Sequence, residues 1–201
     1  GLIARSGTPD TLGFYILHEG PLGVFNDTLR EYDYDDLQET RKVEVQSTGG
    51  WIGITDKYWL AALVPDQNIG STYRFVHSLK NKDDRYQVDY LGEETRIAAG
   101  QQIVTVNRLF AGAKEVKLLD TYSEEYGIKN FDLAVDFGWF YFLTKPFFYA
   151  ISWLNTYLGN FGLAIIAFTV FVKIVFFPLA NKSYKSMAKM RELTPKMMAM
   201  R

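Results

Sequence analysis

Apolar residues follow two different rhythms along this chain. Between Arg41 and Phe110 they alternate with polar residues in short runs, and after Trp139 they crowd together with little alternation. RKVEVQST (Arg41 to Thr48), YRFVHSL (Tyr73 to Leu79), RYQVDYLG (Arg85 to Gly92) and QQIVTVNRLF (Gln101 to Phe110) carry the period-two pattern of half-buried strands. Gly49-Gly50, Pro65-Asp66, the stretch Asn81 to Asp84 and Gly112 punctuate these runs as turns or breaks. Short strands joined by brief polar loops predict an all-β sandwich, because a parallel α/β domain needs long amphipathic crossovers between its strands. VKLLDTYSEEYG, from Val116 to Gly127, then predicts one or two short helical turns.

Leu163 to Leu179 reads LAIIAFTVFVKIVFFPL, with Lys173 as its single charge. At about 1.5 Å per residue, this run and its flanks cross the roughly 30 Å hydrocarbon layer of a bilayer. A mid-membrane lysine costs about 2.5 to 3.5 kcal/mol, while each Leu, Ile, Phe or Val returns about 0.3 to 0.6. The apolar residues outweigh the lysine, so a spanning helix is predicted. Lys173 sits one turn after Thr169 on the same face, and the residues alone leave two readings. Either both line a polar cavity built with further helices, or the lysine stem carries its ammonium toward the nearby surface.

DFGWFYFLTKPFFYAISWLNTYLGN, from Asp136 to Asn160, is dense in aromatic residues, Trp139, Tyr141 and Trp153 among them. On a helical projection Lys145, Ser152 and Thr156 share one side of this segment. Trp and Tyr collect at headgroup depth, where an apolar body and a polar tip are both satisfied. A helix lying on the membrane surface is therefore predicted. The alternative is a first span from Trp139 to Leu158, which Lys145-Pro146 and the polar side make poorer. Gly159 to Gly162 supplies the bend into the span.

Charge orients the chain. Lys182, Lys185, Lys189, Arg191, Lys196 and Arg201 follow the span against one acid, Glu192, while the preceding flank has Lys145 as its nearest base. The positive-inside tendency then places the tail in the cytoplasm and residues 1 to about 160 outside, an asymmetry hidden by the net charge of -1. All five methionines lie in this tail, and Met187, Met190, Leu193 or Thr194, and Met197 approximate a coiled-coil or helical-hairpin face. A plain juxtamembrane helix on anionic lipid is the simpler alternative.

The chain has 201 residues and no cysteine, which excludes disulfides and thiolate metal sites. It opens at Gly1 without a secretory apolar region and stops inside a helical pattern at Arg201, so it reads as a piece of a longer protein. Asp27, Glu31, Asp33, Asp35, Asp36 and Glu39 lack the calcium-loop frame and read as a solvated acidic face. His18 and His77 have no neighbouring ligands at metal spacing and read as structural. NRLFAGAKE lacks G-K-[ST], and neither G-x-S-x-G nor G-x-G-x-x-G occurs, so bond-making catalysis has no visible home. Asn26-Asp27-Thr28 matches a glycosylation acceptor formally, a pattern too common to carry weight.

NFGLAIIAFTVFVKIVFFPLANKSYKSMAKMRELTPKMMAM resembles the first core transmembrane helix and following cytoplasmic segment of the bacterial YidC membrane protein insertases. GGWIGITDKYWLAALVP (Gly49 to Pro65), RLFAGAKEVKLLDTY (Arg108 to Tyr122) and DFGWFYFLTKPFF (Asp136 to Phe148) resemble that family's large periplasmic domain and its exit into the membrane. The blocks occur in order, and together they cover almost the whole chain. The organellar relatives lack a domain of this size, which favours a bacterial inner-membrane origin.

The resemblance implies a periplasmic β-supersandwich over residues 1–130, an amphipathic surface helix over 131–160 and the first core transmembrane helix over 161–181. Residues 182–201 would begin a cytoplasmic helical hairpin, with Lys185, Lys189 and Arg191 on its first arm. It further implies a multi-pass inner-membrane protein whose core helices enclose a hydrophilic groove open to lipid. Lys173, with Thr169 beside it, falls where the family carries a positive groove residue, more often arginine; lysine keeps the charge but loses the bidentate fork. Trp139, Tyr141, Lys145 and Trp153 would lie at the membrane interface. The implied activity is insertion and chaperoning of nascent membrane proteins without covalent chemistry, cofactor or metal. The implied partners are nascent chains, membrane lipids, the Sec translocon and the ribosome, and not DNA. Two alternatives remain beside it. One is a translocon-associated structural or chaperone subunit that binds partners through its β domain. The other is a carbohydrate-active enzyme, for which no paired acid and base can be named.

Overall fold

The computed structural model of the chain describes residues 1–9 and 17–199. They form two compact units, Gly1–Gly138 and Trp139–Arg201. The first unit contains strands β1 (Leu2–Ser6), β2 (Gly20–Phe25), β3 (Thr28–Glu31), β4 (Lys42–Thr48), β5 (Trp51–Thr55), β6 (Trp59–Val64), β7 (Gly70–Lys80), β8 (Asp83–Gly92) and β9 (Arg108–Ala113). Helix α1 (Tyr34–Thr40), helix α2 (Val116–Tyr126) and a 3-10 turn (Phe131–Ala134) complete it. All pairings are antiparallel, in a four-stranded sheet ordered β1-β8-β7-β4 and a five-stranded sheet ordered β3-β2-β5-β6-β9.

Side-chain alternation explains how the sheets are layered. In β7, Ser71, Tyr73 and Phe75 point inward, and with Val45, Tyr86 and Val88 they meet Phe25, Ile52, Ile54 and Leu63 of the five-stranded sheet. Phe25 contacts Tyr73 and Phe75 with ring centroids 4.7 and 5.8 Å apart. The outer face of the five-stranded sheet is also covered. Leu22, Val24, Trp51, Leu60, Ala62 and Val64 pack there beneath Leu119 of α2, Ile128 and Phe131. Phe131 sits edge-on to Trp51 at 5.4 Å. Burial on both faces is why β2 and β5 read as continuous runs, GPLGVF and WIGIT, instead of alternating ones.

Two hairpins close with paired left-handed residues, Asn26-Asp27 (φ 50 and 62) and Asn81-Lys82 (φ 54 and 71). This is the two-residue geometry that matches strand twist, so the formal glycosylation acceptor at Asn26 serves as a turn. Gly49-Gly50 carries the chain from one sheet to the other, with φ of 71 and 93. A Cβ on Gly50 would strike the Val24 carbonyl, so only glycine fits. The Gln67 side chain clamps this corner, donating to the Gly50 carbonyl at 2.9 Å and accepting from its N–H at 2.9 Å.

The structure corrects three expectations. Gln101 to Asn107 forms no strand; the ladder begins at Arg108, opposite Val64, because β6 ends there and Pro65 has no N–H to extend it. The segment Val116–Tyr126 is one helix of 11 residues stopped by Gly127 in the left-handed conformation, since Leu119 anchors it on the sheet. The Asn81 to Asp84 turn shrinks to two residues, with Asp83 and Asp84 already in β8. The six acidic residues between Asp27 and Glu39 are exposed, as a solvated face requires.

Candidate functional site

The second unit is a helical hairpin of α3 (Tyr141–Leu158) and α4 (Phe161–Ala199). Gly159 ends α3 in the left-handed conformation (φ 63) and donates its N–H to the Asn155 carbonyl at 2.9 Å. Asn160 starts α4, its Oδ1 accepting the Leu163 N–H at 3.2 Å in the manner of an N-cap. The predicted bend at Gly159 to Gly162 is therefore a C-cap followed directly by an N-cap. Phe161–Lys185 is long and apolar enough to cross a membrane.

The inner positions of α4 are Ala164, fully buried, and Ala167, Phe168 and Val172, half-buried; Phe168 meets Phe147 of α3 edge-on at 5.0 Å. At 100° per residue, Lys173 lies about 180° around the helix from Ala164, and Thr169 about 140°. Both are exposed on the side turned away from α3. Thr169 returns its hydroxyl proton to the Ile165 carbonyl at 2.8 Å, as threonine does in an apolar helix, which leaves its oxygen outward as an acceptor. The two polar residues thus form one strip on the free face of an apolar helix, flanked by Ile166, Val170 and Phe177, all exposed.

On α3 the same projection separates three strips. Phe142, Tyr149, Trp153 and Tyr157 are exposed along one side, with Trp153 and Tyr157 4.8 Å apart edge-on. Thr144, Phe148, Ile151 and Asn155 are half-buried on the other side. Lys145, Ser152 and Thr156 run along the flank between them, as their spacing predicts. The Lys145 ammonium donates to the Tyr141 hydroxyl at 3.0 Å and lies 5.4 Å from that ring's centre. Trp139 is almost wholly exposed. Pro146 is accommodated within the helix, at an exposed position.

Helix α4 continues without a break to Ala199. Lys185 is exposed on it, whereas the side chains of Lys189 and Arg191 lie outside the described residues, as do those of Met197 and Met198.

In the β unit each histidine stands beside an aspartate. His18 Nδ1 is 3.5 Å from Asp33 and its Nε2 contacts the Pro21 carbonyl at 3.2 Å, while His77 Nε2 is 2.8 Å from Asp84. Among the described residues, no group of three or more His, Cys, Asp or Glu side chains could hold a metal ion. Arg74 pairs with the buried Asp89 at 2.6 Å, and Gln87 donates to that carboxylate's other oxygen at 2.6 Å, a structural network. Two open clefts flank the turn between β5 and β6. One, of about 450 Å³, runs between β1 and β6 and ends at the Arg5–Asp56 ion pair. The other, of about 260 Å³, is walled by Lys57, Tyr58, Lys114 and Asp136. Sequence reasoning missed Lys114. Burial pushes its ammonium below the usual lysine range, against the pull of Asp136, Glu19, Asp56 and Glu31. Those acids are distant in sequence, so no local pattern announces the site.

Comparison with known proteins adds an independent finding. Residues 1–150 match the family model described as the YidC periplasmic domain, and residues 153–201 match the one described as 60Kd inner membrane protein. The chain is 47% identical to the membrane protein insertase YidC of Rickettsia felis over 196 residues, and equally to that of Rickettsia canadensis. That of Rickettsia africae is likewise 47% identical. Each match covers 97% of this chain and 35% of the relative, so the chain spans about a third of the length of these curated proteins.

Proposed function

The chain belongs to the YidC membrane protein insertase family, and on that premise we propose that it forms part of a device that moves hydrophobic segments of nascent proteins into the bacterial inner membrane. The observation that carries this reading is the Thr169–Lys173 strip, exposed on the side of α4 that α3 leaves open. In a bilayer an exposed ammonium at this depth requires a wet or polar neighbour. Further helices would supply the other walls of a groove open to lipid. A client's short polar or acidic outer tail then enters the wet cavity beside Lys173, while its apolar segment slides along the lipid side. The groove replaces bare hydrocarbon with a polar path and so lowers a solvation barrier. No bond is made or broken, and the apolar segment's own transfer energy drives completion. The membrane potential adds to it for charged tails.

The same reading assigns the remaining parts. Residues 1–130 are a periplasmic supersandwich, α3 lies on the periplasmic membrane surface with Trp139, Tyr141, Lys145 and Trp153 at headgroup depth, and residues 161–181 span. Residues 182–201 begin a cytoplasmic hairpin carrying Lys185, Lys189 and Arg191. Nascent chains, lipids, the Sec translocon and the ribosome are its partners.

Replacement of Lys173 in the full protein tests the reading. Lys173→Arg retains most insertion of clients with acidic outer tails, because charge at that depth matters more than donor geometry. Lys173→Glu impairs it most, and Lys173→Leu impairs acidic-tailed clients while sparing neutral ones. If the Glu and Leu variants, at matched protein levels, insert acidic-tailed clients at the parental rate, the lysine only snorkels. The β domain's partner binding would then carry the function.

A further inference from the structure

The two sheets are unequal in width at one side of the sandwich. Strand β1, the edge of the four-stranded sheet, lies over β6, whereas the five-stranded sheet continues one strand further to β9. The register shows which side chains this leaves bare. Leu109 and Ala111 of β9 stand opposite Leu63 and Ala61 of β6, and Leu63 belongs to the core between the sheets, so Leu109 and Ala111 point to that inner side too. Phe110 points the other way and packs in the outer cluster with Leu119 of α2. Leu109 is nevertheless 67% exposed and Ala111 is exposed, since no strand among the described residues covers them. The cleft of about 450 Å³ opens onto the same strip, with Ile3, Ala61 and Ala111 on its walls.

The backbone of β1 is open at the same place. Gly1 exchanges both hydrogen bonds with Tyr90, its nitrogen donating at 3.3 Å and its carbonyl accepting at 3.1 Å. Hydrogen-bonded residues alternate along an antiparallel pair, so Ile3 and Arg5 also face β8, and the N–H and C=O groups of Leu2, Ala4 and Ser6 point off the edge. Natural edge strands are commonly guarded by charge, proline or a bulge. The opposite edge of this sheet is guarded: β4 carries Lys42 and Glu44, ion-paired at 2.7 Å on its exposed side. Strand β1 reads LIARS, and its one charge, Arg5, is spent on Asp56. Strand β9 reads RLFAGA, with neither lysine nor proline.

Neighbouring strands lie about 4.8 Å apart in either sheet, so one strand added to the free edge of β1 falls over β9. A single strand there satisfies the outward groups of Leu2, Ala4 and Ser6 and covers Leu109 and Ala111 together. We infer that the full protein places such a strand at this edge, and that it is the segment leading into Gly1. Strands consecutive in sequence are neighbours about two-thirds of the time, yet β1 is paired with β8, 89 residues from Gly1 at Tyr90, which leaves its other side for a strand that precedes it. The family matches leave most of each relative's length outside the aligned region, so such proteins have chain for this role. A tight turn before Gly1 holds the strand at high effective concentration, an advantage that a diffusing peptide lacks. The sandwich is then five strands on five, and this side of the β unit is a sealed seam of the scaffold instead of a docking edge for clients.

Amide hydrogen exchange read residue by residue tests this in the full protein, in nanodiscs at one copy per disc and without client. The expected result is that the Leu2, Ala4 and Ser6 amides exchange more slowly than free amides by roughly 100-fold or more, as those of Ile3 and Arg5 do. Slow exchange at Ile3 and Arg5 alone, with Leu2, Ala4 and Ser6 near the free rate, overturns the added strand. Leu109→benzoylphenylalanine in the same protein then identifies the cover, by irradiation and peptide mapping. Capture of residues that precede Gly1 is expected. Capture of any other part of the chain overturns the assignment to that segment, and reaction with solvent or lipid alone overturns the cover over β9. Protection at Leu2, Ala4 and Ser6 that appears only with an added apolar client, or only with two copies per disc, makes the edge a client site or a self-association site and overturns the seam.

Discussion

Burial sets Tyr34 and Tyr73 apart from the exposed phenols of the chain. Desolvation pushes Tyr34 up to about 12, with the Arg5 guanidinium pulling the other way, and it raises Tyr73, whose hydroxyl donates to the Gly49 carbonyl at 2.7 Å. An unfolded tyrosine ionises near 10, so between that pH and the folded value the native state holds protons that the unfolded state has released. Stability contributed by these groups is therefore present below about pH 10 and falls as pH rises through the folded value. For Tyr34 the loss is on the order of 2 to 3 kcal/mol. Alkaline titration followed by near-ultraviolet circular dichroism should show the sandwich weakening from about pH 10 upward. Tyr34→Phe should flatten that decline, and an unchanged slope would contradict the burial argument. At this scale the sequence was informative where the chemistry is local. The four-residue spacing of Thr169 and Lys173 put them on one face, but only the buried Ala164 reveals that the face is the open one. Lys114 was illegible because its neighbours Glu19, Glu31 and Asp136 arrive from separate parts of the chain.

Elements were legible in proportion to how unequal their two faces are. Strands β4, β7 and β8 alternate because one side meets the core and the other meets water. Strand β2 was missed: both of its faces are covered, and its glycine and proline resemble a loop. The opposite error occurred at Gln101 to Asn107, where Ile103, Val104 and Val106 have strand-forming side chains but β6 has already ended, leaving no ladder to join. Helix α3 keeps three different sides, and that asymmetry yields a prediction. Labels scanned from Tyr141 to Leu158 should show shallow immersion with a helical period, deepest at Phe142, Tyr149 and Trp153. A smooth passage through the bilayer centre would establish a spanning helix instead and redraw the topology.

On the scale of the whole molecule, the chain joins an antiparallel β unit to two helices, one of them long and apolar enough to cross a membrane. The family assignment was readable from four sequence blocks, and the matches over residues 1–150 and 153–201 bear it out. The sheet order was not readable, because strands β1 and β8 or β6 and β9 pair across long separations that alternation alone does not encode. The proposed topology rests on the basic residues that follow the apolar run. Protease added to spheroplasts should digest the β unit and spare the segment from Lys182 onward, and the reverse pattern would refute the orientation. Insertion itself is tested most directly by reconstitution. The full protein is placed in sealed vesicles without nucleotide, and a ribosome-synthesised client with one apolar segment and a short acidic outer tail is presented. Insertase activity predicts that the client becomes protected from protease in a membrane-spanning form, at a level that rises with the protein and falls with Lys173→Glu. Equal protection in protein-free vesicles, or none with the protein present, would contradict it.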